Sequence, residues 1–258
     1  MQSITMFLES ATATRYDQAT STLTQQLDVP IRIPADTKIC KLKVVQADIW
    51  NLVSNVSPSI GNTITVDPGG TGTNIKVLTI PEGQYSVIAL NAAIGNALVS
   101  EGLANTVLQL EGDAPTQKVK FSSTVAGTII SFPAANSMWN ILGFSQGDSL
   151  TLTLAGVFYL APGIARFNNI NTFLIHSDLV GGGIPVNGTY FGVIAKVPIT
   201  VPSGSLIPFN PPYPISVDAS ELIGARVQEF TVYLTSEDGF TRVNTRENFS
   251  VLIEISYA

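Results

Sequence analysis

Apolar and polar residues alternate along most of this chain, and the phase of the alternation marks out strands. In the closing stretch Phe249, Val251, Ile253 and Ile255 fall on one face and Ser250, Glu254 and Ser256 on the other, with Leu252 the exception on the outer side. Between 226 and 235, Phe230, Val232 and Leu234 oppose Val227, Glu229, Thr231 and Tyr233. From Ile39 to Asn51, Leu42 and Val44 alternate with Lys41 and Lys43, which predicts a strand with one wet face, closed by Trp50 as a core plug. Shorter runs predict strands at 63–66, 74–80, 106–110, 118–122, 128–132, 172–180 and 190–197. Those at 150–154 and 157–160 predict a hairpin about Gly156. Leu27 to Ile33 carries Pro30 and ends at Pro34, which confines it to an edge strand or an extended segment.

One long stretch breaks the pattern. Val87, Leu90, Ile94, Ala97 and Leu98 recur at helical spacing, Ser86 can accept from the first free N–H groups, and Gly102 fits a stop. The spacing predicts a helix over about 86–102, entered through Pro81 and Gly83 and packed by its apolar stripe against the flank of a sheet. A short helical turn within 134–142 would carry Trp139 and Ile141. So many strands with regularly spaced turns predict an all-β protein. An antiparallel β-sandwich fits best, as a single jelly roll with a helical insertion near residues 86–102, and a compact double jelly roll is the alternative. No internal echo between the halves is visible, which favours the single roll. Residues 1–23 are rich in Ser, Thr, Ala and Gln and show little periodicity. They are expected as a flexible N-terminal arm, either clamped onto a neighbouring subunit or loose, ahead of a jelly-roll domain over 24–258.

Composition sharpens this. Apolar residues make up 45% of the 258 and charged residues 12%, about half the usual charged share. Much neutral surface must therefore be exposed, and a partner in an assembly is one way to cover it. A net charge of −6 with 13 scattered basic residues argues against a nucleic-acid face; the densest group, Lys38, Lys41 and Lys43, reads as the outer side of a strand. One Cys (Cys40) and one His (His176) leave no intrachain disulfide and no Cys/His metal site. The first residues lack the pattern of a secretory signal and no apolar run reaches membrane-spanning length, so the sequons at Asn55, Asn187 and Asn248 read as chance.

Candidate chemistry is thin. His176, Ser177 and Asp178 look like a triad as letters, but strand neighbours point to opposite faces, so only Asp178 could share a face with His176. A histidine hydrogen-bonded within or beside the sheet is the expected reading. Glu237 and Asp238 lie in a turn, Glu221 and Glu229 have no partner identifiable from spacing, and Asp67, Asp113 and Asp148 read as loop acids. The Gly-rich run 67–72 lacks the Lys-Ser/Thr ending of a phosphate loop. No catalytic, cofactor-binding or metal residue is assigned, and no enzymatic activity is expected.

Several short motifs are informative by their order: Asp48-Ile49-Trp50-Asn51, Asn55-Val56-Ser57, Ile80-Pro81-Glu82-Gly83-Gln84-Tyr85 leading into the helix, and Leu142-Gly143-Phe144. They are followed by Asn171 to Val180, Phe230 to Gly239 and Glu247-Asn248-Phe249-Ser250-Val251. This series resembles the jelly-roll capsid proteins of polinton-like viruses, virophages and related double-stranded DNA viruses, in particular their minor capsid (penton) proteins. The resemblance implies a structural capsid protein of the virion, made in the host cytoplasm or nucleus and without a cofactor. It would form a homopentamer at the vertices of an icosahedral shell. Its partners would be its own copies and the major capsid protein, with an internal membrane or a spike protein as further candidates and no direct nucleic-acid contact. A small double jelly-roll major capsid protein forming trimeric, pseudo-hexagonal capsomers remains an alternative. A ligand- or carbohydrate-binding jelly-roll module is a second, with Tyr190 and Phe191 beside Asn187-Gly188 as its candidate contacts.

Overall fold

A computed structural model describes residues 1–167, 170–186, 188–190, 192–202 and 204–258. The chain divides into two compact units, one made of 1–53 with 170–258 and the other of 54–169. The first carries β1 (Gln2–Glu9), β2 (Arg15–Asp17), β3 (Thr22–Arg32) and β4 (Cys40–Trp50) before the chain leaves it. The second carries β5 (Thr63–Asp67), β6 (Lys76–Thr79), α1 (Val87–Ser100), β7 (Gln109–Asp113), β8 (Lys118–Ser122), β9 (Thr128–Ser131), α2 (Trp139–Leu142), β10 (Ser149–Leu152) and β11 (Tyr159–Leu160). The chain then returns to the first unit with β12 (Thr172–Ser177), β13 (Pro185–Val186), β14 (Thr189–Tyr190), β15 (Val193–Pro198), β16 (Leu206–Phe209), β17 (Ser216–Asp218), β18 (Arg226–Thr235) and β19 (Ser250–Tyr257).

The first unit is a jelly roll. One sheet runs β1-β19-β4-β16, with β17 also on β4, and the other β15-β12-β18-β3-β2. Counting β16 and β17 as one broken strand and setting aside the short β2, β13 and β14, eight strands remain. In chain order the sheets read 1-8-3-6 and 2-7-4-5, the order produced by two Greek keys. Every pairing in them is antiparallel. Their inner faces share one core: Leu42, Val44, Ile49, Val251, Ile253 and Ile255 from one sheet meet Leu23, Phe173, Ile175, Phe230, Val232 and Leu234 from the other. The predicted single jelly roll is therefore present; the second unit is inserted in its sequence between β4 and β12, and its described sheets, β10-β9-β5-β6 and β11-β8-β7, do not repeat that strand order as a compact double jelly roll would.

Two sequence irregularities have structural causes. Inward residues in β4 fall at 40, 42 and 44 and then at 47 and 49. The phase slips because Ile253 pairs with Val44 and Leu252 with Gln46, so Val45 is the extra residue of a bulge. Pro30 lies in β3 where the pairing skips from Val227–Ile31 to Glu229–Gln26, a place where a missing N–H costs no ladder bond. Trp50 is half-buried beside Leu206 and does not plug the core.

Residues 1–23 are the main departure from expectation. They form no flexible arm: β1 pairs with β19 over eight consecutive residues, from Gln2–Tyr257 to Glu9–Ser250. Leu8 is buried in the core, and Ile4 and Met6 pack against it. The segment that follows is pinned as well. Ser10 N–H donates to the Phe249 carbonyl and the Ser10 hydroxyl accepts from Phe249 N–H (3.0 and 2.9 Å). Ser21 Oγ accepts from Thr245 N–H at 3.1 Å, and Tyr16 donates its hydroxyl to the Glu247 carbonyl. The polar composition misled because β1 is an edge strand whose outer residues Ser3, Thr5 and Glu9 stay wet.

The nested unit holds two small sheets, β10-β9-β5-β6 and β11-β8-β7, with α1 packed on β7 and β6. The insertion is thus far larger than the helix near 86–102, which is one part of its core. Leu90, Ile94 and Leu98 are buried with Leu78, Leu110 and Phe121, and Val87 is half-buried against them. Ser86 Oγ accepts from Ala89 N–H at 3.2 Å, the predicted N-cap. At the other end Leu103 N–H reaches the Leu98 carbonyl (2.9 Å) and Gly102 N–H the Val99 carbonyl (3.0 Å), a Schellman closure with Gly102 at φ +76. The predicted hairpin about Gly156 does not form, because β10 pairs with β9 and β11 with β8.

Candidate functional site: motif knots and assembly surfaces

The residues with letters suited to catalysis are used structurally. His176 is fully buried, and its Nε2 lies 2.8 Å from Thr235 Oγ1. The Thr235 hydroxyl also reaches the Ser236 carbonyl at 3.1 Å, and donating there leaves it able to accept from Nε2–H. The ring stacks on Tyr233 at 4.6 Å and 9° between planes, and Arg242 caps that tyrosine with its guanidinium carbon 3.0 Å from the ring centroid. Ser177 Oγ accepts from Leu179 N–H, and Asp178 Oδ1 accepts from Thr231 N–H at 2.8 Å. The three residues are therefore each committed elsewhere and form no relay. Cys40 is buried in β4, and that burial, helped by Asp218, pushes its thiol pKa up, away from reactivity.

Among the acids, Asp238 stands out. Partial burial opposes its ionisation. It accepts from the Ser236 and Thr241 hydroxyls and from the Phe240 and Thr241 amides, and these donors outweigh desolvation and hold its carboxyl well below the usual range. It is the clasp of the turn after β18. Glu237 Oε2 accepts from Asn171 N–H at 2.9 Å, so the two carboxylates serve different segments. Asp67 Oδ2 closes the Gly-rich loop through Gly72 N–H, Asp113 accepts from Thr116, and Asp148 from Ser145 N–H. Among the described residues no three His, Cys, Asp or Glu side chains converge as a metal site. The candidate sugar contacts Asn187 and Phe191 lie outside the described residues, as does the side chain of Tyr190.

The sequence motifs become intelligible as knots in the nested unit. Asn55, only 3% exposed, donates Nδ2 to the carbonyls of Tyr85 (2.8 Å) and Phe167 (2.9 Å) and accepts at Oδ1 from Tyr85 N–H (2.8 Å). It ties the residues where the chain enters the unit to those where it leaves. Val56 and Gly83 exchange backbone hydrogen bonds at 3.1 and 3.0 Å. A Cβ at Gly83 would lie 3.0 Å from the Tyr85 ring, so any larger residue would press on that ring, whose hydroxyl bonds back to the Pro81 carbonyl. Thus Asn55-Val56 and Ile80 to Tyr85 are two halves of one joint. Leu142-Gly143-Phe144 is a second: Gly143 ends α2 at φ +79, and a Cβ on it would collide with the Gly163 carbonyl. Phe144 enters the core between Phe132 and Phe121, at 4.5 and 5.9 Å. Spacing could not show that Asn55, Gly83 and Phe167 meet, since 112 residues separate the two ends of one hydrogen bond.

What the molecule does present is neutral and apolar surface. Phe7, Val29, Tyr213, Ile215 and Phe240 are exposed on the jelly-roll unit, and Ile88, Leu154, Phe158 and Leu160 on the nested unit. Of the 13 basic and 19 acidic side chains, three ion pairs form among the described residues, all partly exposed: Lys43–Glu254, Lys76–Glu101 and Lys120–Glu111. Such a surface suits burial against other protein better than it suits long-range electrostatic capture.

No protein-family model matches the chain, and no curated protein matches it in sequence. Solved structures match it in fold. The crystal structure of the mavirus penton protein aligns over 100% of this chain and 100% of that one, with a TM-score of 0.51 and 11% identity. The likeness is one of fold over the full length, and it agrees with the jelly-roll strand order above.

Proposed function

We propose that this protein is a structural capsid subunit, of the penton type, that assembles as a homopentamer at the vertices of an icosahedral virion. The observation that carries the reading is the full-length likeness to a penton protein, in a chain whose candidate catalytic letters are all committed to the fold. The low charge and the exposed apolar residues support it, because subunits of a closed shell bury their flanks against neighbours. Head-to-tail contacts between unlike surfaces close into a ring when the rotation per subunit divides the circle. Its partners are then its own copies and the major capsid protein of the same virus, and its work is geometric. Native mass measurement of the purified chain tests this: five-copy rings, or their recruitment into shells, are expected. A monomer that persists at high concentration and is missing from particles contradicts it.

A further inference from the structure

Sheet edges are where a β protein is open to other chains, and folds normally blunt them with shortness, proline, lysine or bulges. Nearly every edge in this protein follows the rule. β2 has three residues ending in Arg15 and Asp17, β16 contains Pro208, and β17 has three residues. β15 carries Lys196 and Pro198, and its first residue is already covered by Ile184 N–H at 2.7 Å. In the nested unit the outer strands β6, β7, β10 and β11 span four, five, four and two residues, and β7 holds Gly112 between two acids.

β1 does not follow it. Its eight residues, Gln-Ser-Ile-Thr-Met-Phe-Leu-Glu, contain no Pro, Gly, Lys or Arg, and they pair with β19 without a bulge. Among the described residues its other side meets no strand. Inner-facing Ile4 and Met6 remain half-exposed at that flank although they touch the core, and outer-facing Phe7 is 64% exposed. The row of backbone donors and acceptors there accepts one kind of occupant, an extended strand.

We propose that the free edge of β1 pairs with β1 of a second copy of this chain, antiparallel and about a twofold axis, so that one sheet runs on from copy to copy. Length selects the occupant: the other long uncovered stretch, residues 25–32 of β3 beyond its pairing with β2, is interrupted by Pro30, so no other edge in the described structure offers as long a run free of proline. Charge selects the direction. The one charged side chain, Glu9, would face Glu9 if the strands ran parallel, and it faces the uncharged opposite end of its partner when they run antiparallel. A second inner face of Ile4, Met6 and Leu8 would complete the cover that the flank lacks. One strand pair is small for a stand-alone interface, so the contact is weak and forms at high local concentration, as in an assembly. It is isologous, whereas a fivefold ring needs heterologous contacts, so it is additional to the ring proposed above and does not rest on it.

The test uses the full chain. Hydrogen exchange and sedimentation are followed over a concentration series for wild type and for a Thr5→Lys/Phe7→Lys variant, whose new lysines replace exposed outer-face residues. In the wild type, doubling of the sedimenting species should coincide with protection, by tenfold or more, of alternate amides between Ser3 and Leu8. The variant, melting at the wild-type temperature, should lose the doubling and the protection while keeping any five-copy species. Doubling with those amides still exchanging at open-edge rates, or undiminished doubling in the folded variant, overturns the proposal. Should the variant melt lower, Ser3→Lys alone at the wet end of the strand gives the same two readings. Loss of five-copy rings with β1 protection retained would instead count against the ring alone.

Discussion

At the scale of single residues, the polar side chains described above hold segments of this protein together. Asp238 illustrates this. Its carboxyl is held below the ordinary aspartate range, so its folded pKa is depressed. The stability it contributes is full above the unfolded value of about 3.9 and is lost as pH falls through the folded pKa. Asp238→Ala should cost about 1–2 kcal/mol at neutral pH, and the gap between variant and wild type should narrow below about pH 4. Thermal melts at pH 7 and pH 3 would read this, and a gap independent of pH would contradict it. His176→Ala should destabilise by roughly 2–4 kcal/mol, because it opens a buried site against Tyr233 and leaves Thr235 without its donor. Asn55→Ala should be at least as costly, about 3 kcal/mol, since it strands two carbonyls and an amide in a buried joint. Denaturant unfolding measures both. A His176→Ala chain as stable as wild type would show that the stack on Tyr233 holds nothing, and an equally stable Asn55→Ala chain would show the same of the joint.

Elements with strict alternation, such as β18, β19 and the first half of β4, were legible from sequence because each has one dry face. The helix was legible in span and in both caps, since its signals are local: Ser86 at one end and Gly102 at the other. Two elements were not. β1 reads as a polar tail because an edge strand with a wet outer face needs few apolar residues, and its worth depends on β19, more than two hundred residues later. The nested unit was hidden for a like reason: nothing local in Asn55 or Phe167 says that the chain turns back on itself there. A sharp prediction attaches to β1. Removing 1–9 should strip a whole strand from the sheet and leave Val251, Ile253 and Ile255 uncovered at one side, so the truncated chain should fail to fold. A soluble truncation with an unchanged melt would make the segment a dispensable arm.

At the scale of the whole molecule, a jelly roll is interrupted between β4 and β12 by a second β unit, and among the described residues no cluster of metal-ligating side chains forms. Two of the ordered motifs carry a physical signal of the fold because they are joints. Asn55 with Tyr85, and Gly143 with Gly163, are fixed by backbone geometry that few other residues satisfy. The motifs report how the chain is tied and not what it touches. The most direct test of the central claim is native mass spectrometry of the purified full-length chain, paired with reconstruction of particles that contain it. The account predicts a ring of five copies that occupies the fivefold vertices. A chain that stays monomeric at every concentration and is absent from the particle, or one found there only as trimers between the vertices, would contradict it.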